Sequence, residues 1–133
     1  MSLGRGTPFP FRVVGHPDYP VKTFSFAPAA SAANKNPVYM GKICYGTDFR
    51  SMPVADLQQM RGLNLRWLID TYKTMGKGEA FFTDYIDKLA GTGNLRKQIL
   101  EGETDDQIKQ SWQGDLDRFR ILRKKYLLYD DFE

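Results

Sequence analysis

The chain's only histidine lies in the stretch FRVVGHPDYP, where His16 is followed by Asp18 and Tyr19. An imidazole can act as a general base, but it then needs a carboxylate that orients it and a substrate within about 3 Å. Adjacency in the sequence does not supply that geometry, and the prolines around this stretch favour an extended strand that ends in a turn. A lone histidine in such a position is more often structural than catalytic.

A second polar set follows in the stretch KICYGTDFR, which contains Tyr45, Asp48 and Arg50. On an extended strand Asp48 and Arg50 share one face, and Lys42 and Cys44 have the same parity. A carboxylate, a guanidinium and a nearby tyrosine ring can hold a sugar or an acid through hydrogen bonds and ring stacking. The alternative interpretation is a solvated strand face with an ordinary surface salt bridge.

The remaining candidates for chemistry lack the partners that their reactions need. Cys44 is the only cysteine, so it forms neither an internal disulfide nor a zinc site by itself, and its neighbours indicate a buried strand position. The glycines of LAGTGN are not followed by Gly-Lys-Ser/Thr and match no dinucleotide fingerprint. The acidic pairs Asp84/Asp87 and Asp115/Asp117 fall on predicted helices and are typical of solvated faces. We therefore expect no metal site and no cofactor.

Charge and hydropathy argue against two classes of partner. The formal net charge of +3 and the pI near 9.0 are mild compared with nucleic-acid-binding surfaces, which carry dense stripes of Lys and Arg. The one dense basic run, RFRILRKK at 118–125, is expected near a helix end, where cations complement exposed carbonyl groups. No stretch approaches the ~18 apolar residues of a membrane span, and no signal-peptide pattern is present. We expect no nucleic acid partner and no membrane span.

Short extended segments are expected in the first fifty residues. The stretch FRVVG carries two valines and is bounded by prolines, which is typical of a short strand. The stretch VKTFSFAP alternates, which places Phe24 and Phe26 on the side that faces the core. A third extended segment is predicted at 38–49, with glycines that mark bends. Residues 27–37, which are small and polar, are predicted to form a surface loop.

Helical periodicity begins near Pro53 and continues towards the end of the chain. Apolar residues spaced by three or four positions predict four to five helices, several of which end at a glycine. The longest is opened by a capping box, Thr104 with Gln107, and is expected to run for roughly 22 residues. We expect its apolar stripe to be buried: Ile108, Trp112, Leu116, Phe119, Leu122 and Tyr126.

These elements predict an α+β fold. A small antiparallel sheet from the N-terminal third is expected to pack against the four to five C-terminal helices. Residues 1–5 are predicted to be an added, disordered leader, and 6–133 to form a single domain of ordinary size.

Six segments in order resemble the C-terminal part of the exo-β-N-acetylmuramidase (NamZ-type) family. They are GTPFPFRVVGHPDYP, FSFAP, PVYMGKICYGTDFR, LNLRWLIDTYK, YIDKLAGTGNLRKQI and WQGDLDRFRILRKKYLLY. The similarity extends from about Gly6 to Tyr129. No single segment is diagnostic, but their shared order identifies the family.

The resemblance implies that the chain is the auxiliary C-terminal domain of a larger two-domain glycoside hydrolase. Family members have a larger, Rossmann-like N-terminal domain, and the substrate cleft lies between the domains. They remove terminal N-acetylmuramic acid from peptidoglycan fragments, and their catalytic glutamate belongs to the N-terminal domain. By this resemblance the chain has no catalytic residue of its own and is inactive alone. It also implies a periplasmic or exported location and a muropeptide or amino-sugar ligand.

Residue by residue, the resemblance bears on the VGHP turn. Family sequences carry a Gly-x-Pro turn there, often with a small residue in place of His16, so Gly15 and Pro17 shape the backbone and the turn presents Asp18 or Tyr19 to the cleft. With the polar set of the later strand, the candidate substrate-binding residues are Tyr45, Asp48, Arg50, His16, Asp18 and Tyr19. The alternative is a non-enzymatic module whose exposed aromatic residues dock a protein partner.

Overall fold

The structure of the chain is a computed structural model that describes residues 1–60 and 62–130. It contains two compact units. Unit 1 consists of Met1–Asn64 with Asp70–Gly76, and unit 2 consists of Leu65–Ile69 with the chain from Lys77 onward. That residues 6–133 form one domain stays a prediction.

Unit 1 contains the three-stranded antiparallel sheet of the protein. The strands are β1 (Val13–His16), β2 (Ser25–Phe26) and β3 (Cys44–Asp48), and β3 lies between the other two. Both outer strands run antiparallel to β3, as the sequence predicts. The second and third strands are shorter than predicted, because the chain bends at residues 23–24 and residues 38–41 form a turn.

A small hydrophobic cluster fills one side of this sheet. Val13, Phe26 and Cys44 are its buried members, and Phe9, Phe24 and Tyr39 pack against them. Register explains the grouping, because Phe26 lies directly opposite Cys44 and cross-strand partners share a face. The predictions that Phe26 points into the core and that Cys44 is buried are confirmed.

The first residues of the chain are ordered against β1. Ser2 exchanges two backbone hydrogen bonds with Gly15, at 2.7 and 2.9 Å, and its side chain is buried. These contacts correct the expectation that residues 1–5 are disordered. Residues 27–37 lack regular structure, as predicted, but Pro28 and Pro37 are buried within them. The N–H of Ala29 donates to the carbonyl of Gly6 at 2.8 Å, so this loop is anchored.

Five α-helices follow the sheet, and they confirm the α+β class. No helix among the described residues is both long and apolar enough to cross a membrane. Gly76 and Gly91 end their helices with positive φ, which is the backbone conformation that glycine tolerates best. The helices are α1 (Val54–Gln59), α2 (Arg66–Met75), α3 (Tyr85–Ala90), α4 (Asn94–Leu100) and α5 (Asp105–Arg123).

Helix α5 has the predicted start but not the predicted burial. Thr104 and Gln107 form both hydrogen bonds of the capping box, and a 3₁₀ turn, Lys124–Tyr126, follows the last helical residue. Ile108 is fully buried, whereas the apolar residues from Leu116 to Tyr126 are 41–76% exposed. The prediction that the whole stripe is buried is therefore wrong. Periodicity shows that a helix is amphipathic, but not which surface covers its apolar side.

Candidate functional site

The structure brings Asp48 and Arg50 together at the end of β3. The chain turns after Asp48, so the backbone N–H of Arg50 donates to Asp48 Oδ1 at 2.9 Å. The guanidinium completes a bidentate pair, with Nε at 2.9 Å from Oδ1 and Nη2 at 2.7 Å from Oδ2. Such two-pronged pairing fixes the geometry of both groups. Strand parity predicts that Asp48 and Arg50 share one face, and in the structure their side chains are in direct contact.

Two aromatic rings complete the surroundings of this ion pair. The guanidinium carbon of Arg50 lies 4.3 Å from the ring centre of Phe9 and 5.4 Å from that of Phe24. Both distances are within the range of cation–π attraction. A guanidinium of Arg12 donates to the carbonyl oxygen of Arg50 at 3.1 Å. The pair therefore joins the strand end to the N-terminal segment.

Electrostatics keep Asp48 ionised. The hydrogen bonds from the Arg50 side chain, followed by the one from its backbone N–H, lower the pKa of the Asp48 carboxyl to about 2. A carboxyl with so low a pKa holds no proton near neutral pH, so it is unsuited to act as a general acid. The same hydrogen bonds raise the pKa of Arg50. The geometry and the charges describe a fixed salt bridge rather than a proton-transfer site.

A second polar group lies on the opposite face of the sheet. His16 pairs with Tyr45 across β1 and β3, so their side chains share a face that alternates with the face of Cys44 and Asp48. The Lys22 ammonium lies 5.1 Å from the centre of the Tyr45 ring. We call His16, Tyr45 and Lys22 the strand-face cluster; His16 and Tyr45 are half-buried.

The imidazole of His16 takes part in the turn that follows it. Its Nδ1 atom accepts the backbone N–H of Asp18 at 2.9 Å, so this nitrogen carries no proton and Nε2 carries the hydrogen. The Asp18 carboxylate is 3.7 Å from Nδ1, and that side chain is mostly exposed. The ring of Tyr39 meets the imidazole edge-on at 4.9 Å. The imidazole of His16 therefore helps to hold this turn in place through Nδ1.

The six candidate residues do not form one site. Asp48 and Arg50 lie together, His16 and Tyr45 lie on the other face, and Asp18 is an exposed neighbour of His16. Tyr19 is only 8% exposed and belongs to the interior of unit 1. The sheet itself separates the two groups, because successive residues of a strand point to opposite sides.

Two contacts of these groups were not predicted from the sequence. Phe9 under Arg50 and Lys22 over Tyr45 are both distant in the chain from the residues that they touch. Lys22 lies in the predicted second strand, but in the structure it precedes β2, which begins at Ser25. No local pattern marks either contact, since each joins two residues that are far apart in the chain.

Other reactive chemistry finds little support in unit 1. Burial raises the pKa of the Cys44 thiol, which makes it a poor nucleophile. Across residues 1–60 and 62–130, no three His, Cys, Asp or Glu side chains are grouped so that they could hold a metal ion.

Comparison with known proteins assigns the family. The family model described as "Exo-beta-N-acetylmuramidase NamZ, C-terminal" matches residues 1–129. The peptidoglycan beta-N-acetylmuramidase NamZ of Bacillus subtilis (strain 168) is 29% identical over 145 residues, which span 97% of this chain and 34% of that protein. The crystal structure of a DUF1343 family protein from Bacteroides fragilis NCTC 9343 superimposes with a TM-score of 0.89 at 40% identity, over 98% of this chain and 36% of the other.

The chain thus spans about a third of the length of both relatives. The family model covers nearly all of this chain, including the Asp48–Arg50 ion pair, the strand-face cluster and helix α5. The chain belongs to the NamZ C-terminal family, the C-terminal region of exo-β-N-acetylmuramidases.

Proposed function

We propose that the chain is the auxiliary C-terminal domain of a bacterial peptidoglycan-directed glycoside hydrolase and forms one wall of its sugar-binding cleft. Family membership and the named activity of the Bacillus subtilis relative support this proposal. In it, the partner is an N-terminal Rossmann-like domain of the same parent chain, which carries the catalytic acid. The chain alone is inactive, and the parent protein works in the periplasm or outside the cell.

The strand-face cluster is the observation that carries the cleft-wall role. N-acetylmuramic acid presents a sugar ring, an acetamido group and a carboxylate. The half-buried ring of Tyr45 offers a stacking surface, and the Lys22 ammonium beside it can pair with a carboxylate. The Nε2–H of His16 is a hydrogen-bond donor on the same face. These three groups match the three chemical features of a muropeptide sugar.

The other candidate residues have supporting roles in this proposal. Asp48 and Arg50 satisfy each other, so they act as positioning residues that hold the end of β3 in place. Asp18 keeps His16 in its tautomer through its backbone N–H, and its exposed carboxylate borders the strand-face cluster. Tyr19 packs beneath this turn, where its N–H donates to the carbonyl oxygen of His16 at 3.1 Å. In this proposal the strand-face cluster contacts the sugar, and the other candidate residues hold that cluster and its strands in position.

The test is steady-state hydrolysis of a muropeptide by the complete natural protein carrying Tyr45→Ala or Lys22→Ala. Loss of one stacking or ionic contact made equally in the ground and transition states raises KM about tenfold and leaves kcat unchanged. Tyr85→Ala is the matched control, because Tyr85 is an exposed tyrosine of unit 2. Unchanged KM in both cluster variants would refute the cleft-wall role.

The alternative function is a non-enzymatic module that docks a protein partner. Exposed aromatic residues in unit 2, Phe119, Tyr126 and Tyr129 among them, favour this alternative. It predicts that neither turnover nor affinity changes in the Tyr45 and Lys22 variants. The same kinetic experiment therefore separates the two functions.

A further inference from the structure

The outer half of α5 presents an apolar surface that the described residues leave uncovered. Leu116, Phe119, Leu122 and Tyr126 follow one another at intervals of three, three and four, so they form one stripe along the helix and the turn after it. We call these four residues the outer α5 stripe. Each is more than two fifths exposed.

This stripe differs from scattered surface apolar residues, which need no explanation. Large apolar residues that recur on one side of a helix mark the side that packs against something. At the other end of the same helix, Ile108 continues the pattern and is fully buried. Beyond the helix, Leu127, Leu128 and Tyr129 extend the exposed apolar surface. Along its length the apolar side of the helix thus changes from buried to exposed.

Basic residues border the stripe. Arg118 and Arg120 are paired with Asp115 and Asp117 within the helix. Lys124 and Lys125 add positive charge at the helix end, next to Tyr126. A surface that covers this stripe is therefore expected to be apolar at its centre and to carry carboxylates at its edge.

We propose that the outer α5 stripe docks the remainder of the parent chain, the part of a NamZ-type protein that lies outside this sequence. This inference depends on the longer parent that the proposed function requires. The relatives supply the occupant, because about two thirds of each lies outside the match. The family model runs to residue 129, so the stripe belongs to the family region itself. The inference adds an interface at α5, in a different unit from the strand-face cluster.

Hydroxyl-radical footprinting of the complete natural protein tests the proposal, because it reads the exposure of individual side chains. Rates are normalised to the intrinsic reactivity of each residue type. We expect Phe119 and Tyr126 to be oxidised at least about fivefold more slowly than Ile121, since burial at an interface removes side-chain exposure. Ile121 is the internal control, because it is 71% exposed on the same helix but away from the stripe.

A double variant, Phe119→Glu with Leu122→Glu, should raise the oxidation rate of Tyr126 to that of Ile121, whereas Ile121→Glu should leave the protection of Tyr126 intact. Equal rates at Phe119, Tyr126 and Ile121 in the wild-type monomer would overturn the proposal without any variant. Protection that disappears on dilution from dimer to monomer would also overturn it, because a second copy would then be the occupant.

The failure of this proposal can be told apart from failure of the proposed function. Protection of Tyr126 with an unchanged KM in both Tyr45→Ala and Lys22→Ala would retain the interface and reject the cleft-wall role. A raised KM in Tyr45→Ala with a fully reactive Tyr126 would retain the cleft-wall role and reject the interface.

Discussion

The centre of the sheet and the outer half of α5 use opposite means to define structure. Around β3, regular structure is scarce, yet backbone atoms meet so closely that only glycine fits at Gly46. Along α5, the secondary structure is long and regular, yet a Cβ added at Gly114 would meet nothing within 4 Å. In this molecule, a regular secondary structure therefore does not imply close packing against other parts of the chain. The sheet is specified by its tertiary contacts, and the outer half of α5 by the hydrogen bonds of its own backbone.

The largest effect is expected from Gly46→Ala. Gly46 lies opposite Gly15, and Gly15 bonds to Ser2 on its other side, so the two glycines form a non-hydrogen-bonded pair, where strands approach most closely. A Cβ on Gly46 would lie 2.0 Å from the Val14 carbonyl oxygen. We expect a loss of about 4 kcal/mol in the free energy of unfolding.

The single thiol of Cys44 reports this loss, because Cys44 is buried in unit 1 and reacts only when that unit opens. Labelling rates across a urea series give the opening free energy. Gly41→Ala is the control: its φ is +73° but its Cβ would have open space, so it should cost only about 1 kcal/mol. Equal costs for the two variants would contradict the close-approach explanation.

The next largest effect distinguishes the two ends of α5. Ile108→Ala removes a fully buried side chain and should destabilise unit 2 by about 3 kcal/mol. Leu122→Ala removes a side chain that is 53% exposed and should change stability by less than about 0.5 kcal/mol in this chain. Both tryptophans, Trp67 and Trp112, belong to unit 2, so their fluorescence in urea measures its unfolding. Similar losses in the two variants would mean that the helix is covered along its full length.

A smaller gain is expected from Gly114→Ala. The position is helical and a methyl group there would touch nothing. Alanine should therefore stabilise the helix by up to about 1 kcal/mol through its higher helix propensity. The urea midpoint of tryptophan fluorescence should rise, and a fall would show that the close approach of another surface requires glycine at this position.

The smallest effect concerns acid stability. The folded-state pKa of Asp48 is lowered to about 2, so its contribution is present above pH 4 and is lost as the pH falls towards 2. Asp48→Asn should therefore make the melting temperature fall less steeply with pH in this range, as followed by circular dichroism. Asp87→Asn is the matched comparison in unit 2, since its hydrogen bonds with Arg96 also lower the Asp87 pKa. Parallel pH curves for Asp48→Asn and wild type would rule out this contribution.

Local sequence rules predicted the helix and strand elements well, but they predicted poorly which apolar side chains are buried. The capping box at Thr104 and the helix stop at Gly91 follow from the chemistry of single residues, and the structure confirms both. The alternation around Phe26 placed it correctly in the core. The exposure of Phe119 could not be predicted, because the spacing of apolar residues does not show which surface packs against them.

The candidate site shows the same division. The contact between Asp48 and Arg50 was predictable because the two residues are close in sequence. The separation of Tyr45 from Asp48 by the sheet follows from strand parity. The cation–π contact of Lys22 with Tyr45 was not predictable, since it depends on how the segment before β2 approaches β3.

The backbone pairing of Ser2 with Gly15 has a consequence for self-association. A strand edge with unpaired N–H and C=O groups can recruit a strand from another molecule, which is a common start of aggregation. In this protein Ser2 occupies both groups of Gly15 on that edge. Removal of residues 1–3 would bare them, so shortened versions of the chain should be more prone to form intermolecular sheets at high concentration.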